Sequence, residues 1–365
     1  MNAPPAAPAL KEIFNRDRLV AIAGAVRAAH PAFDEAHFLK RAARDLDALS
    51  IMQRLRQIAE SLGETLPADF GESVAILKIV APRIGHNFAA ILPSEYVALF
   101  GQAHFDQSME ALAFFTRFGS AEFAIRHFLH RDFERTLAVM AGWAEDSNEH
   151  VRRLASEGSR PRLPWAARLP QVIADPSLTR PILERLKADP SLSVRKSVAN
   201  HVNDITKDHP AHALGLISSW PMDDPRTAWI VKHALRGLIK AGDPAALARI
   251  GATGKALVRI EDFAVSPTRI RLGGRIAISC VLHSTGPDPQ RLVVDYAIHY
   301  VKKSGATSRK VFKLKELHLA PEARTMLAVS QTIRDFTTRT HHAGRHAVEL
   351  LVNGAVLAEG FFDLA

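Results

Sequence analysis

Three acidic residues sit among basic ones in ways that invite chemistry. In VRKSVANHVNDITKDHP (194–210), Asp204 lies at the margin of a helical face that carries Lys196, Asn200, Asn203 and Lys207, a group of donors around one carboxylate. The earlier segment SNEHVRRLASEGSRPRLPWAARLP sets Glu157 and Trp165 among Arg152, Arg153, Arg160, Arg162 and Arg168, with Pro161 and Pro164 stiffening the chain as it leaves the helix. Guanidinium forks suit phosphate oxygens, and an exposed indole can stack on a base or make a cation–π contact with a cationic one. In GSAEFAIRHFLHRDF, Ser120 is a candidate helix cap, which puts Glu122 in the first turn. Each has a plainer reading at this point: a solvated face for Asp204, a loop anchor for Trp165, and a carboxylate that only complements a helix dipole for Glu122.

Other chemistry finds less support. His127 and His130 stand one turn apart without a third ligand at a familiar spacing, and His341, His342 and His346 read as a loop at a strand edge, so no metal site is expected. No cofactor is expected either, because the chain lacks a phosphate-cradling G-x-x-x-x-G-K-[ST] loop, a glycine-rich dinucleotide turn and a G-x-S-x-G elbow. Cys280, the single cysteine, falls in an expected strand and is read as packing rather than attacking.

The elements that must position these groups change character once along the chain. From about Leu10 to about Gly251, apolar residues recur at three- and four-residue spacing between short breaks rich in Pro, Gly and Asp, as in FLKRAARDLDALSIMQRLRQIAESLG and DQSMEALAFFTRFG. Val194, Val198, Val202 and Ile205 share one quarter of a helical wheel and mark a core face. SNEHVRRLASEG, DPSLSVRKSVANHV and DPRTAWIVKHALRG resemble one another at intervals of about 40 residues, the mark of paired-helix repeats of HEAT type. From about Ala256 short alternating runs take over, among them RIAISCVLHS, QRLVVDYAIHYVKK and HAVELLVNG, with Gly273-Gly274, Ser304-Gly305 and Asn353-Gly354 as turns. The expectation is a mainly α protein: a HEAT-like helical repeat solenoid over 1–254, then an all-β immunoglobulin-like sandwich over 255–365 without a bridging cysteine pair.

With 365 residues, 47% of them hydrophobic, the chain can fill two cores. No uninterrupted apolar run approaches the roughly 20 residues of a membrane span, and the opening lacks the order of a secretory signal, so a cytoplasmic protein without a membrane partner is expected. A net charge of +9 suits a polyanion, while only 7% aromatic residues argue against a single-strand stacking platform and for duplex shape.

SAEFAIRHF (120–128), NEHVRRLASEGSRPRLPWA (148–166) and VRKSVANHVNDITKDHP together make the chain resemble the AlkC branch of the AlkC/AlkD family of HEAT-like alkylpurine DNA glycosylases. GRHAVELLVNG fits the immunoglobulin-like ending of its long form. The resemblance implies a monofunctional glycosylase that releases bases methylated at ring nitrogens, chiefly 3-methyladenine, from duplex DNA. It implies Glu122, Glu157 and Asp204 as catalytic residues, with Glu122 and Asp204 stabilising a sugar cation or positioning water and Glu157 in support. DNA binding then falls to Arg152, Arg153, Arg160, Arg195, Lys196, Asn200, Asn203 and Lys207 along the concave side of the solenoid, with Trp165 beside the lesion and little or no base flipping. Lys302, Lys303, Arg309 and Lys310, clustered at an expected hairpin, are candidates to clamp phosphates, or a charged surface loop. By analogy a monomer is expected. A non-catalytic HEAT and immunoglobulin-like scaffold, or a protein that binds distorted DNA without cutting it, are the alternatives.

Overall fold

The structure, a computed structural model, describes residues 9–86, 88–252, 255–336 and 339–365. Among them are sixteen α-helices: α1 (Arg16–Ala29), α2 (Glu35–Ala42), α3 (Ile51–Thr65), α4 (Phe70–Val80), α5 (Leu92–Phe100), α6 (Phe105–Phe115), α7 (Ala124–Arg131), α8 (Phe133–Trp143), α9 (Glu149–Gly158), α10 (Pro170–Ala174), α11 (Arg180–Leu186), α12 (Leu192–Ile205), α13 (Pro210–Ser218), α14 (Pro225–Ala234), α15 (Arg236–Ala241) and α16 (Pro244–Arg249). Eight strands follow: β1 (Val258–Ser266), β2 (Arg269–Ile270), β3 (Arg275–Ser284), β4 (Gln290–Val301), β5 (Thr307–Leu319), β6 (Arg324–Thr332), β7 (Gly344–Val352) and β8 (Ala355–Leu364). No helix among the described residues is long and apolar enough to cross a membrane. Residue 254, the expected end of the helical domain, lies outside the described residues.

The chain divides into two compact units, residues 1–213 with 220–230, and residues 214–219 with 231–365. In the first, short polar side chains start the helices: Asn15, Asp34, Asp69, Asp132 and Asn148 each accept a backbone N–H from the first turn that follows. The helices then bury apolar stripes against one another, α3 on α5, α5 on α7 and α9 on α12. Val194, Val198, Val202 and Ile205 are buried, as their spacing predicts.

Two of the sequence repeats share one set of hydrogen bonds. Arg152 Nη1 donates to the carbonyls of Asp146 and Ser147, and Arg195 Nη1 donates to those of Asp189 and Pro190, in each case six and five residues back. The aspartates match as well: Asp146 accepts the N–H of Asn148, and Asp189 that of Ser191. Asp189 also receives Arg152 through two bonds, of 2.7 and 3.1 Å, which ties one repeat to the next.

In the second unit, β1, β3 and β6 form one sheet, and β2, β8, β7, β4 and β5 another. Seven strands match the alternating runs of the sequence; the two-residue β2, parallel to β8, is the addition. Ile276, Ile278, Cys280 and Leu282 alternate inward from β3, so Cys280 packs as expected, and burial pushes its thiol above its ordinary pKa. From Leu292 to Ile298, β4 is buried without alternation, because α15 covers the face that its partner sheet does not: Ile239 and Lys240 line a cavity with Val293 and Asp295.

Asn353-Gly354 makes the expected tight hairpin, both residues having positive φ, at 47° and 79°. A second constraint lies there that the sequence does not announce. Gly242, also left-handed, ends α15 against this turn, and a Cβ built on Gly354 falls 2.1 Å from its Cα. Gly305 has a similar φ of 80° with open space around it. Gly305→Ala therefore carries only the left-handed penalty, about 1 kcal/mol, whereas Gly354→Ala adds an overlap with backbone and costs about 3 kcal/mol. Urea unfolding of the two variants measures the difference, and equal costs would defeat this account of the α15 contact.

Candidate functional site

The three carboxylates expected from sequence lie in the first unit on one continuous chain of ion pairs. Glu122 Oε2 accepts Arg153 Nη1 at 2.8 Å, and Arg153 Nη2 approaches Glu157 Oε1 at 3.8 Å. Glu157 Oε1 accepts Arg160 Nη1 at 2.6 Å, Arg160 Nη2 reaches Asp204 Oδ2 at 2.8 Å, and Asp204 Oδ1 takes Lys207 Nζ at 2.8 Å. Acid and base alternate from end to end. Three carboxylates therefore face three cations, and Glu157, Arg160 and Asp204 can be buried together. Burial opposes the charge on Arg160, but Glu157 and Asp204 outweigh it and raise its pKa.

Helix geometry sets this order. Arg153, Glu157 and Arg160 follow one another along α9 and the turn after it at intervals of four and three residues, so they share a face. Asp204 and Lys207 come from the end of α12, which packs on α9. Glu122 enters from the turn before α7. Here the structure corrects the sequence reading: α7 begins at Ala124, and Ser120 does not cap it but donates its hydroxyl to Glu122 Oε2 at 2.7 Å while accepting Arg153. Asp204 and Asn203 are buried, which removes the solvated-face reading for them, while Lys196 and Lys207 remain exposed.

Glu122, Arg153, Glu157 and Arg160 line a cavity of about 690 Å³, with Phe88, Phe123 and Trp165 as its aromatic walls. Asp204 stands behind it, joined through Arg160. Gly119 brings the Ser120–Glu122 turn into this wall, since a Cβ there would lie 2.3 Å from the Ala90 carbonyl carbon. Trp165 is 63% exposed and meets Phe88 edge-on at 6.2 Å, so it does not anchor its loop by burial. Its φ of 65° is a left-handed backbone that a tryptophan rarely adopts.

The remaining expected DNA contacts divide by what already holds them. Arg152 and Arg195 are engaged in the repeat framework described above. Arg153, Arg160 and Lys207 belong to the ion-pair chain, and Asn200 is half-buried on α12. In the second unit, Lys302 and Lys303 are exposed at the β4–β5 hairpin, whereas Arg309 pairs with Glu349 and Lys310 lies over the Phe312 ring at 5.2 Å. No group of three His, Cys, Asp or Glu side chains suited to a metal occurs among the described residues.

Sequence reasoning missed two buried residues whose hydrogen bonds reach α9 and the segment that follows it. Arg126, on α7, donates Nε to Ala167 O at 2.9 Å and Nη1 to Gly158 O and Arg160 O at 3.0 and 2.8 Å, and its Nη2 also meets Ala167 O. Burial, and then the charge of Arg160, brings its pKa down to about 10. His201, on α12, has a ring nitrogen 3.0 Å from the Ser156 carbonyl, so Nδ1 carries the proton. Their neighbours in sequence, FAIRHF and VANHVN, look like ordinary helix, and nothing local marks either residue as internal.

Complete burial pushes His201 down to about 3, only partly opposed by its bond to Ser156. The folded protein thus holds it neutral while the unfolded chain protonates near 6.5, so its stabilising effect is whole above about pH 6.5 and is lost as pH falls toward 3. The unfolding free energy is expected to drop by about 2 kcal/mol from this residue between pH 6.5 and 5, a dependence that His201→Gln removes. Urea titrations at the two pH values test it; an unchanged pH slope in the variant would contradict the assignment.

Comparison with known proteins agrees with this architecture. The family described as "Uncharacterised protein YhaZ, C-terminal Ig-like domain" matches residues 259–365. Along nearly its whole length the chain is similar to the protein YhaZ of Bacillus subtilis (strain 168), with 40% identity over 348 residues that cover 95% of this chain and 97% of the relative. Its structure is similar to that of the Pseudomonas fluorescens alkylpurine DNA glycosylase AlkC bound to DNA containing an abasic site analog, with a TM-score of 0.96, 55% identity, and coverage of 98% of this chain and all of that one. Full-length similarity at this level, over both the helical repeats and the β-sandwich, makes the chain a member of the AlkC family of alkylpurine DNA glycosylases.

Proposed function

We propose that this protein is a monofunctional glycosylase that releases purines alkylated at ring nitrogens, 3-methyladenine foremost, from duplex DNA, acting as a monomer in the cytoplasm. The observation that carries the reading is the alternating chain of carboxylates and cations along an aromatic-walled cavity. A purine methylated at N3 is already cationic. When its glycosidic bond breaks, the bonding electron pair goes to the base and neutralises it, and the positive charge passes to the sugar as an oxocarbenium ion. No acid is needed to expel such a leaving group. The sugar cation needs nearby negative charge, and water needs a proton acceptor as its oxygen bonds to C1′.

Glu122 and Glu157 meet both needs at the cavity wall. Their paired arginines aim them, and Asp204 acts through Arg160, which it holds from behind. Trp165 offers an exposed ring to a cationic base. Arg153, Lys196 and Lys207, with Asn200 and Asn203 beside them, suit the DNA backbone near the lesion, and Lys302 and Lys303 suit phosphates at the second unit.

Base release from methylated DNA tests the reading directly. Wild type is expected to liberate 3-methyladenine, and Glu122→Gln or Asp204→Asn to slow single-turnover release by about 100-fold or more while still binding duplex. Tight binding without release in wild type would leave a DNA-binding scaffold instead. Replacing Lys302 and Lys303 together by Ala is expected to lower the slope of log K against log salt by about 1 to 2, with no change in the release rate at saturating protein. An unchanged slope would remove the hairpin from the DNA interface.

A further inference from the structure

We propose that Arg126 is a positioning residue of this site, which holds the segment carrying Arg160 and Trp165 in its working geometry before DNA arrives. The inference rests on the glycosylase reading above. The three carbonyls that Arg126 engages, those of Gly158, Arg160 and Ala167, bracket the whole excursion between α9 and α10 on which Arg160 and Trp165 sit. Its first part is also held by side chains, Arg160 by Glu157 and Asp204 and Arg162 by Asp208, whereas the stretch around Trp165 has no such ion pair among the described residues. Its own backbone supplies Ala166 N–H to Leu163 O at 3.4 Å and Leu169 N–H to Pro161 O at 3.2 Å, both longer than any distance given above for Arg126.

Trp165 makes the need for a clamp specific. Its backbone is left-handed and its ring is mostly solvent-exposed, so neither conformational preference nor burial keeps the indole at the cavity wall. A strained residue persists only where its surroundings over-determine it. A guanidinium can do this, because its planar fork reaches carbonyls on two sides at once; an ammonium group on the same stem is a single point.

The clamp also relates two parts of the cavity lining. Arg126 lies on α7 four residues after Glu122, which enters from the turn before that helix, so adjacent residues of the chain supply the carboxylate and grip the segment that carries Arg160 and Trp165. Its hydrogen-bond partners are carbonyls rather than a carboxylate, so it adds no negative group that would compete with Glu122 and Glu157 for the sugar cation.

The test uses the full chain with Arg126→Lys, and with Arg126→Gln, which keeps a planar donor, in case lysine prevents folding. Three readouts separate positioning from general support. Single-turnover release of 3-methyladenine is expected to fall about 10- to 100-fold while affinity for undamaged duplex stays within about 3-fold. Amide hydrogen exchange is expected to quicken over residues 158–167 in the DNA-free protein and not over α12. In a Trp165→Ala background the same substitution is expected to cost less than about 3-fold, because the residue it aims is gone. Release at the wild-type rate, equal costs with and without Trp165, unchanged exchange over 158–167, or rate and duplex affinity lost together would each overturn the proposal. Wild type without base release would instead overturn the glycosylase reading, and the exchange experiment would still decide whether Arg126 holds the segment.

Discussion

A carboxylate brought into a protein interior is costly unless a cation or hydrogen-bond donor there compensates its charge. The site meets this constraint by alternation: every carboxylate from Glu122 to Asp204 has a cation on at least one side, and Glu157 and Asp204 have one on each. Arg160 is the central element, since its guanidinium is shared by Glu157 and Asp204, the more buried of the three acids. Much of the surrounding architecture can be understood as what this arrangement requires. Helix α9 and the turn after it must supply three charged residues on one face, α12 must end beside it, and the turn before α7 must approach closely enough for Glu122 to reach Arg153.

Cations already bound to carboxylates differ from exposed surface lysines in what they can offer a phosphate. A phosphate near Arg153 or Lys207 would share the cation with Glu122 or Asp204. The exposed lysines, Lys196 on α12 and Lys302 and Lys303 at the β4–β5 hairpin, have no such double duty.

The sequence made the large features plain. The switch from a period near 3.6 to a period of 2 separates helices from sandwich, Asn353-Gly354 names its hairpin, and the stripe from Val194 to Ile205 identifies the core face of α12. The candidate carboxylates were legible through motif resemblance, and their setting was not. Asp204 sits at the edge of a helical wheel, and only the packing of α12 on α9 decides that the edge is buried. Arg126 and His201 were invisible for the same reason: their partners lie in other segments of the chain, so no pattern of neighbours in sequence could reveal that a charged and a titratable side chain are internal. Gly242 and Gly354 are 112 residues apart and meet only in three dimensions.

The matched arginines of the two repeats bear on how such a site can arise. Arg152 and Arg195, 43 residues apart, fasten equivalent turns through the same pair of carbonyls, six and five residues back. Counting outward from them, Arg153 corresponds to Lys196 and Glu157 to Asn200. The framework residue is kept, and the residues beside it carry different chemistry in each copy. A protein of this kind can try new functional groups at a fixed address in one repeat while its neighbour continues to fold, which separates the acquisition of an active site from the risk of losing the structure that holds it.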